Sequence, residues 1–141
     1  MSLSKGQRGH QTQWAAQFAV ASELCKGGYE VTFTSGNHAP VADLVVISPQ
    51  KRIMFLVDVK GLHRKNPWLI KRKAPCKRLF YVLTFVPLGK PNQYFVIPQA
   101  EANKLIDLEL ARLGRPESYP VTGISWVAAS EYRDKWNRLP K

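Results

Sequence analysis

Two acids and a lysine carry the chemistry that this sequence offers. Asp58 and Lys60 close the apolar run Ile53-Met54-Phe55-Leu56-Val57, with Val59 between them, and Asp43 opens a second run, Leu44-Val45-Val46-Ile47. Short unbroken runs rich in Ile, Val and Phe read as strands buried on both faces. Side chains alternate along a strand, so Asp58 and Lys60 share one face and Val59 points to the other. Ser48–Arg52, between the runs, has the composition of a turn, and the two runs read as a β-hairpin. If the loop is Pro49–Arg52, paired residue numbers sum to 101 and Asp43 faces Asp58; if it is Pro49-Gln50 alone, they sum to 99 and Asp43 lies diagonal to Asp58. Both sums are odd, so both registers put Asp43, Asp58 and Lys60 on one face. Opposed Cβ atoms lie about 4.5–5.5 Å apart. Two carboxylates that close repel unless a cation lies between them, and Mg²⁺ takes oxygen ligands of this kind. The local reading is a metal site with a lysine beside it. The competing reading is a structural salt bridge, because 10 acids and 12 lysines in 141 residues yield about one acid-x-Lys match by chance.

The rest of the chain must position these groups. Its length suits one domain, residues 1–141, with 1–11 a flexible lead-in. A helix is expected over Thr12–Lys26, with Trp14, Phe18, Ala21 and Cys25 toward the core and Gln13, Gln17, Val20 and Leu24 on the neighbouring stripe. Gly27-Gly28 stops it. Tyr29–Thr34 reads as a strand, Ser35–Pro40 as a loop, and the hairpin follows. Gly61–Arg78 has no clear period. Leu79–Val86 and Tyr94–Ile97 read as strands, and Gln99–Leu113 as a helix with Leu105, Ile106, Leu110 and Leu113 on one face. Ile124–Val127 reads as a short strand and Ser130–Asn137 as a last helix with Tyr132 and Trp136 stacked one turn apart. This order predicts an α/β or α+β layer structure, a central mixed sheet with helices on both sides.

Charge narrows the partner. Lys plus Arg number 21 against 10 acids, a net charge of +11, which attracts polyanions. No acid occurs from Lys60 to Ala100, and the first part of that stretch holds Arg64, Lys65, Lys71, Arg72, Lys73, Lys77 and Arg78. That cluster is expected to bind nucleic acid. Trp68, among these cations, either stacks on an unpaired base or pins the connector to the core. No apolar run exceeds five residues, which excludes a transmembrane helix, and the N-terminus lacks the apolar stretch of a signal peptide. Cys25 and Cys76 show no metal-ligand spacing, so a reducing, cytoplasmic compartment is expected. His10, His38 and His63 are far apart and read as ordinary surface or core residues.

The segments "QFAVASELCKGGYEV", "GNHAPVADLVV", "FLVDVKG", "RLFYVLTFV" and "YFVIP", spanning Gln17 to Ile97, resemble in order the PD-(D/E)xK nuclease superfamily, with its restriction-endonuclease-like fold. The small stand-alone members, which include Holliday-junction resolvases, are the most similar in layout. The resemblance implies a Mg²⁺- or Mn²⁺-dependent DNA endonuclease of restriction or repair type. It maps the metal acids to Asp43 and Asp58, the catalytic lysine to Lys60, and a third metal ligand to the Val59 carbonyl. The position of a metal-holding glutamate on the opening helix falls on Gln17, and the proline expected before the first acid is Ala42. The neutral Gln17 keeps open a second reading, a nuclease-like module that grips nucleic acid without cutting. A third is a small basic RNA-associated protein in which Asp58 and Lys60 are only structural. Cutting both strands of a duplex favours a homodimer, though no stretch marks an interface.

Overall fold

A computed structural model describes residues 5–34 and 42–141. The expected loop Ser35–Pro40, with His38, lies outside the described residues. The architecture is mixed α+β. Strands β1 (Glu30–Phe33), β2 (Leu44–Ile47), β3 (Met54–Leu62), β5 (Leu79–Phe85) and β6 (Gln93–Pro98) form one sheet in the order β1-β2-β3-β5-β6. All neighbours are antiparallel except β3 and β5, which are parallel. Helix α1 (Lys5–Lys26) covers one face and α2 (Gln99–Arg112) the other. The connector from β3 to β5 contains β4 (Trp68–Leu69), which pairs with β7 (Gly123–Ile124) in a separate two-stranded ribbon.

The hairpin has the four-residue loop. Leu44 faces Val57 and Ile47 faces Met54, so paired numbers sum to 101. Ser48 closes the turn twice: its N–H donates to the Ile53 carbonyl at 2.9 Å, and its Oγ accepts the Ile53 N–H at 2.8 Å. Arg52 takes the left-handed backbone (φ +56°) that brings the chain round.

Each face of the sheet has its own core. Ala16, Val20 and Leu24 of α1 pack on Leu44, Val57, Val59, Val82 and Val96. On the other face Ala102, Ile106 and Leu110 of α2 pack on Tyr81, Leu83, Phe95 and Ile97. Helix α1 approaches β3 so closely that a Cβ on Gly61 would lie 2.6 Å from Ala16 Cβ; the residue after Lys60 must therefore be glycine for this seat.

Several expectations are corrected. Helix α1 begins at Lys5, so 5–11 are helical rather than a flexible lead-in. Its buried residues are Ala16, Gln17, Val20, Ala21 and Leu24, so of the four expected toward the core Ala21 is buried. Phe18 is 59% exposed and Cys25 is exposed, and Trp14, Phe18 and Phe33 stack into an aromatic ridge on the outer side. The aromatics at helical spacing point out because polar Gln13 and Gln17 are needed inside, for reasons given below. Leu113 is exposed, since α2 ends at Arg112. Trp126–Ala129 is a helical turn, α3, not a strand: Ser125 caps it by accepting the Ala128 N–H. The expected last helix is two 3₁₀ turns, Ser130–Tyr132 and Trp136–Arg138, separated at Asp134 (φ +54°), whose N–H donates to the Tyr94 carbonyl.

Trp68 pins the connector. It is 1% exposed, stacks between Phe95 and Trp126 at centroid distances of 5.3 and 4.7 Å, and donates its indole N–H to the Thr84 carbonyl. Base stacking by Trp68 is excluded by this burial, and of its two expected roles the structural one holds.

Candidate functional site

The site forms where β2 stops short of its partner. Strand β2 is paired with β3 as far as Leu44↔Val57, and β3 runs on to Leu62; among the described residues no strand continues along that edge. Buried backbone groups need partners, and side chains supply them. Asp43 Oδ2 accepts the Val59 N–H at 2.7 Å. Gln13 of α1 donates Nε2 to the Val59 carbonyl at 2.7 Å and accepts the Gly61 N–H at 3.2 Å. The Val59 carbonyl, expected among the metal ligands, accepts this bond from α1.

Asp43 and Asp58 meet across this edge, close enough for Asp58 to act directly on the Asp43 carboxyl. The buried Gln17 donates Nε2 to Asp43 Oδ1 at 3.3 Å. Burial first, and then Asp58, push the Asp43 carboxyl up to about 7, against the opposing pull of the Val59 N–H and Lys60. Asp58 is buried, and among the described residues its Oδ2 has no hydrogen-bond donor. Two ammonium groups lie near that oxygen without hydrogen-bond geometry, Lys60 Nζ at 3.4 Å and Lys73 Nζ at 3.9 Å. Tyr81, paired with Asp58 on β5, is also buried with an unpartnered hydroxyl, which burial and then Asp58 push up to about 12.

A hard divalent cation fits part of this donor set. The orphaned, buried Asp58 Oδ2 facing a second carboxylate is an oxygen of the kind such ions take. The described residues contain no group of three or more His, Cys, Asp or Glu side chains, so Asp43 and Asp58 would be the only anionic ligands among them. Gln17, bonded to Asp43, brings no charge.

The basic cluster does not stay together. Arg64 and Lys65 line an open groove of about 1220 Å³ with Arg8, Lys90, Arg133 and His63, and none of the residues lining it is acidic. His63 is bonded to Thr12 on α1, and Lys65 lies 5.1 Å over the Trp126 ring. Arg72 turns away to α2 and pairs twice with Asp107, at 2.9 and 3.3 Å. Arg78 donates to the Met54 carbonyl, while Lys71 and Lys77 are exposed. Arg8, Lys90 and Arg133 come from three distant segments, and no local pattern in the sequence marks them. Lys73, expected only as a backbone contact, lies at the acid pair.

Asp43→Asn tests the electrostatics. The folded Asp43 keeps its proton up to about 7 whereas the unfolded chain releases it near the ordinary 3.8, so wild-type stability falls as pH rises through that window and stays lower above it. Asparagine cannot ionise, and its oxygen still accepts the Val59 N–H. Halved for partial solvent exposure, the shift corresponds to about 2 kcal/mol. In metal-free buffer the variant should melt well above wild type at pH 8 and close to it at pH 4. Parallel melting-temperature profiles for the two proteins would contradict the raised carboxyl.

No helix among the described residues is long and apolar enough to span a bilayer. The chain matches no protein-family model, no curated protein and no solved structure.

Proposed function

We propose that this protein is a Mg²⁺- or Mn²⁺-dependent DNA endonuclease of PD-(D/E)xK type. The observation that carries the reading is the facing pair Asp43 and Asp58 at an open strand end, with Lys60 3.4 Å from a buried Asp58 oxygen that lacks a donor. Asp43 and Asp58 would hold the cation. Bound there, the ion supplies an acidified water and charge neutralisation at a phosphate. Lys60 orients the attacking water or stabilises charge on the phosphate oxygens. The groove lined by Arg8, Arg64, Lys65, Lys90 and Arg133 supports a polyanionic substrate, because phosphate contacts position a nucleic acid without reading its sequence. The free thiols of Cys25 and Cys76 suit the cytoplasm, and cleavage of both strands favours a homodimer.

The second reading, a module that binds nucleic acid without cutting, is favoured by one observation. Two carboxylates and two ammoniums leave the centre formally neutral, and Gln17 adds nothing. Gln17→Glu separates the two. An added carboxylate beside Asp43 should tighten Mn²⁺ binding by about tenfold, since ligand charge sets affinity for hard cations, and should raise cleavage at limiting metal. If wild type and Gln17→Glu both leave linear, branched and single-stranded DNA intact with Mg²⁺ or Mn²⁺, and metal affinity does not move, the binding-module reading replaces the nuclease.

A further inference from the structure

Lys73 sits on the extended stretch between β4 and β5, a segment without regular structure, yet its backbone is held firmly. Asn103 Nδ2 and Gln99 Nε2 donate to the Lys73 carbonyl at 2.7 and 3.0 Å. Gln99 Nε2 also donates to the Ala74 carbonyl, and Gln99 Oε1 accepts the Cys76 N–H at 2.9 Å. Asn103 Oδ1 accepts the Lys73 N–H. Gln99 and Asn103 are 1% and 6% exposed. Four residues apart, they occupy one face of α2. Burying two amides in a helix–sheet core is costly unless their polar atoms are used, and here every one is spent on a few residues of connector. What that clamp fixes is the stretch of backbone from which the Lys73 ammonium reaches to 3.9 Å from Asp58 Oδ2.

A structural ion pair does not explain it. Lys60 already pairs with Asp58 from 3.4 Å, so Lys73 is a second ammonium at the same carboxylate oxygen. The Lys73 side chain is 43% exposed whereas Asp58 is 9% exposed, so this second ammonium is presented to solvent, where a substrate arrives. We propose that Lys73 is a second lysine of the reacting centre: it is a counter-ion of Asp58 while the site is empty and moves onto the substrate phosphate when a divalent cation takes that carboxylate. The second half rests on the nuclease reading; the first does not.

The experiment compares wild type, Lys73→Met and Lys73→Arg. Mn²⁺ alone is titrated calorimetrically without DNA, and single-turnover cleavage is followed at saturating Mn²⁺ and DNA. Loss of a cation that competes for Asp58 should tighten Mn²⁺ in Lys73→Met by about fivefold or more. Its saturating cleavage rate should fall by about 10²-fold, the usual loss for one charge-stabilising donor, while DNA affinity in Ca²⁺ stays within about threefold. Lys73→Arg should return the Mn²⁺ affinity to that of wild type and recover part of the rate. An unchanged Mn²⁺ affinity in Lys73→Met overturns the counter-ion role. An unchanged saturating rate, or a loss confined to DNA affinity, overturns the phosphate contact. If wild type cuts no DNA while Lys73→Met tightens Mn²⁺, the nuclease reading and the phosphate contact fail together, and the Asp58 pairing stands.

Discussion

Asp58→Ala is expected to lower metal-dependent DNA cleavage by at least about 10³-fold while DNA affinity stays within about threefold. Among the described residues, Asp43 and Asp58 are the carboxylates at the strand end, and Asp58 is the one whose buried oxygen has no donor. Removing it deletes half of the anionic ligand set and leaves Lys60 and Lys73 facing Asp43 alone. Both lysines keep solvent contact, at 35% and 43% side-chain exposure, so the variant should fold. Relieved of its neighbour, Asp43 should titrate lower than in wild type, which carboxylate NMR can read. Cleavage by Asp58→Ala at the wild-type rate would remove this strand end from the chemistry altogether.

The second large effect is structural. Trp68→Ala should cost about 3–5 kcal/mol, the usual range for deleting a buried aromatic, and lower the melting temperature by about 10–15 °C. The ring fills the space between Phe95 and Trp126 and donates to the Thr84 carbonyl, and it is the only residue of the β4–β7 ribbon's first strand that is buried. The same segment carries Lys73, so the variant should lose cleavage well below its own melting temperature. Trp68→Phe keeps ring contacts, loses the indole donor, and should give a smaller shift. A melting temperature within about 3 °C of wild type for Trp68→Ala would show that the connector is held elsewhere.

What the sequence made legible was the register. Two odd sums shared one consequence, so the facing of Asp43, Asp58 and Lys60 was independent of loop length, and the observed sum of 101 is one of the two. The polar interior was not legible. Apolar periodicity assigns Trp14 and Phe18 inward, but the stripe that faces β3 carries Gln13 and Gln17, because the unpaired end of β3 and the Asp43 carboxylate need amides there. Gln99 and Asn103 escaped for the same reason: amides on a helix read as surface unless the backbone they satisfy is known. Toward the C-terminus, Ile124 is in a strand as expected, but the propensities of Trp126–Asn137 gave way to tertiary contacts, the Ser125 cap and the Asp134 bond to Tyr94. The groove cations Arg8, Lys90 and Arg133 meet only through the fold.

The parallel pairing of β3 with β5 also has a kinetic side. The hairpin that carries Asp58 closes through a four-residue turn, whereas β5 joins β3 only once the helix-free connector, residues 63–78, has carried the chain back along the sheet. Pairing across a long connection is the slower event. The expected order in refolding is therefore the β2–β3 hairpin first and the β3–β5 ladder after it, and pulsed amide exchange during refolding would time the two.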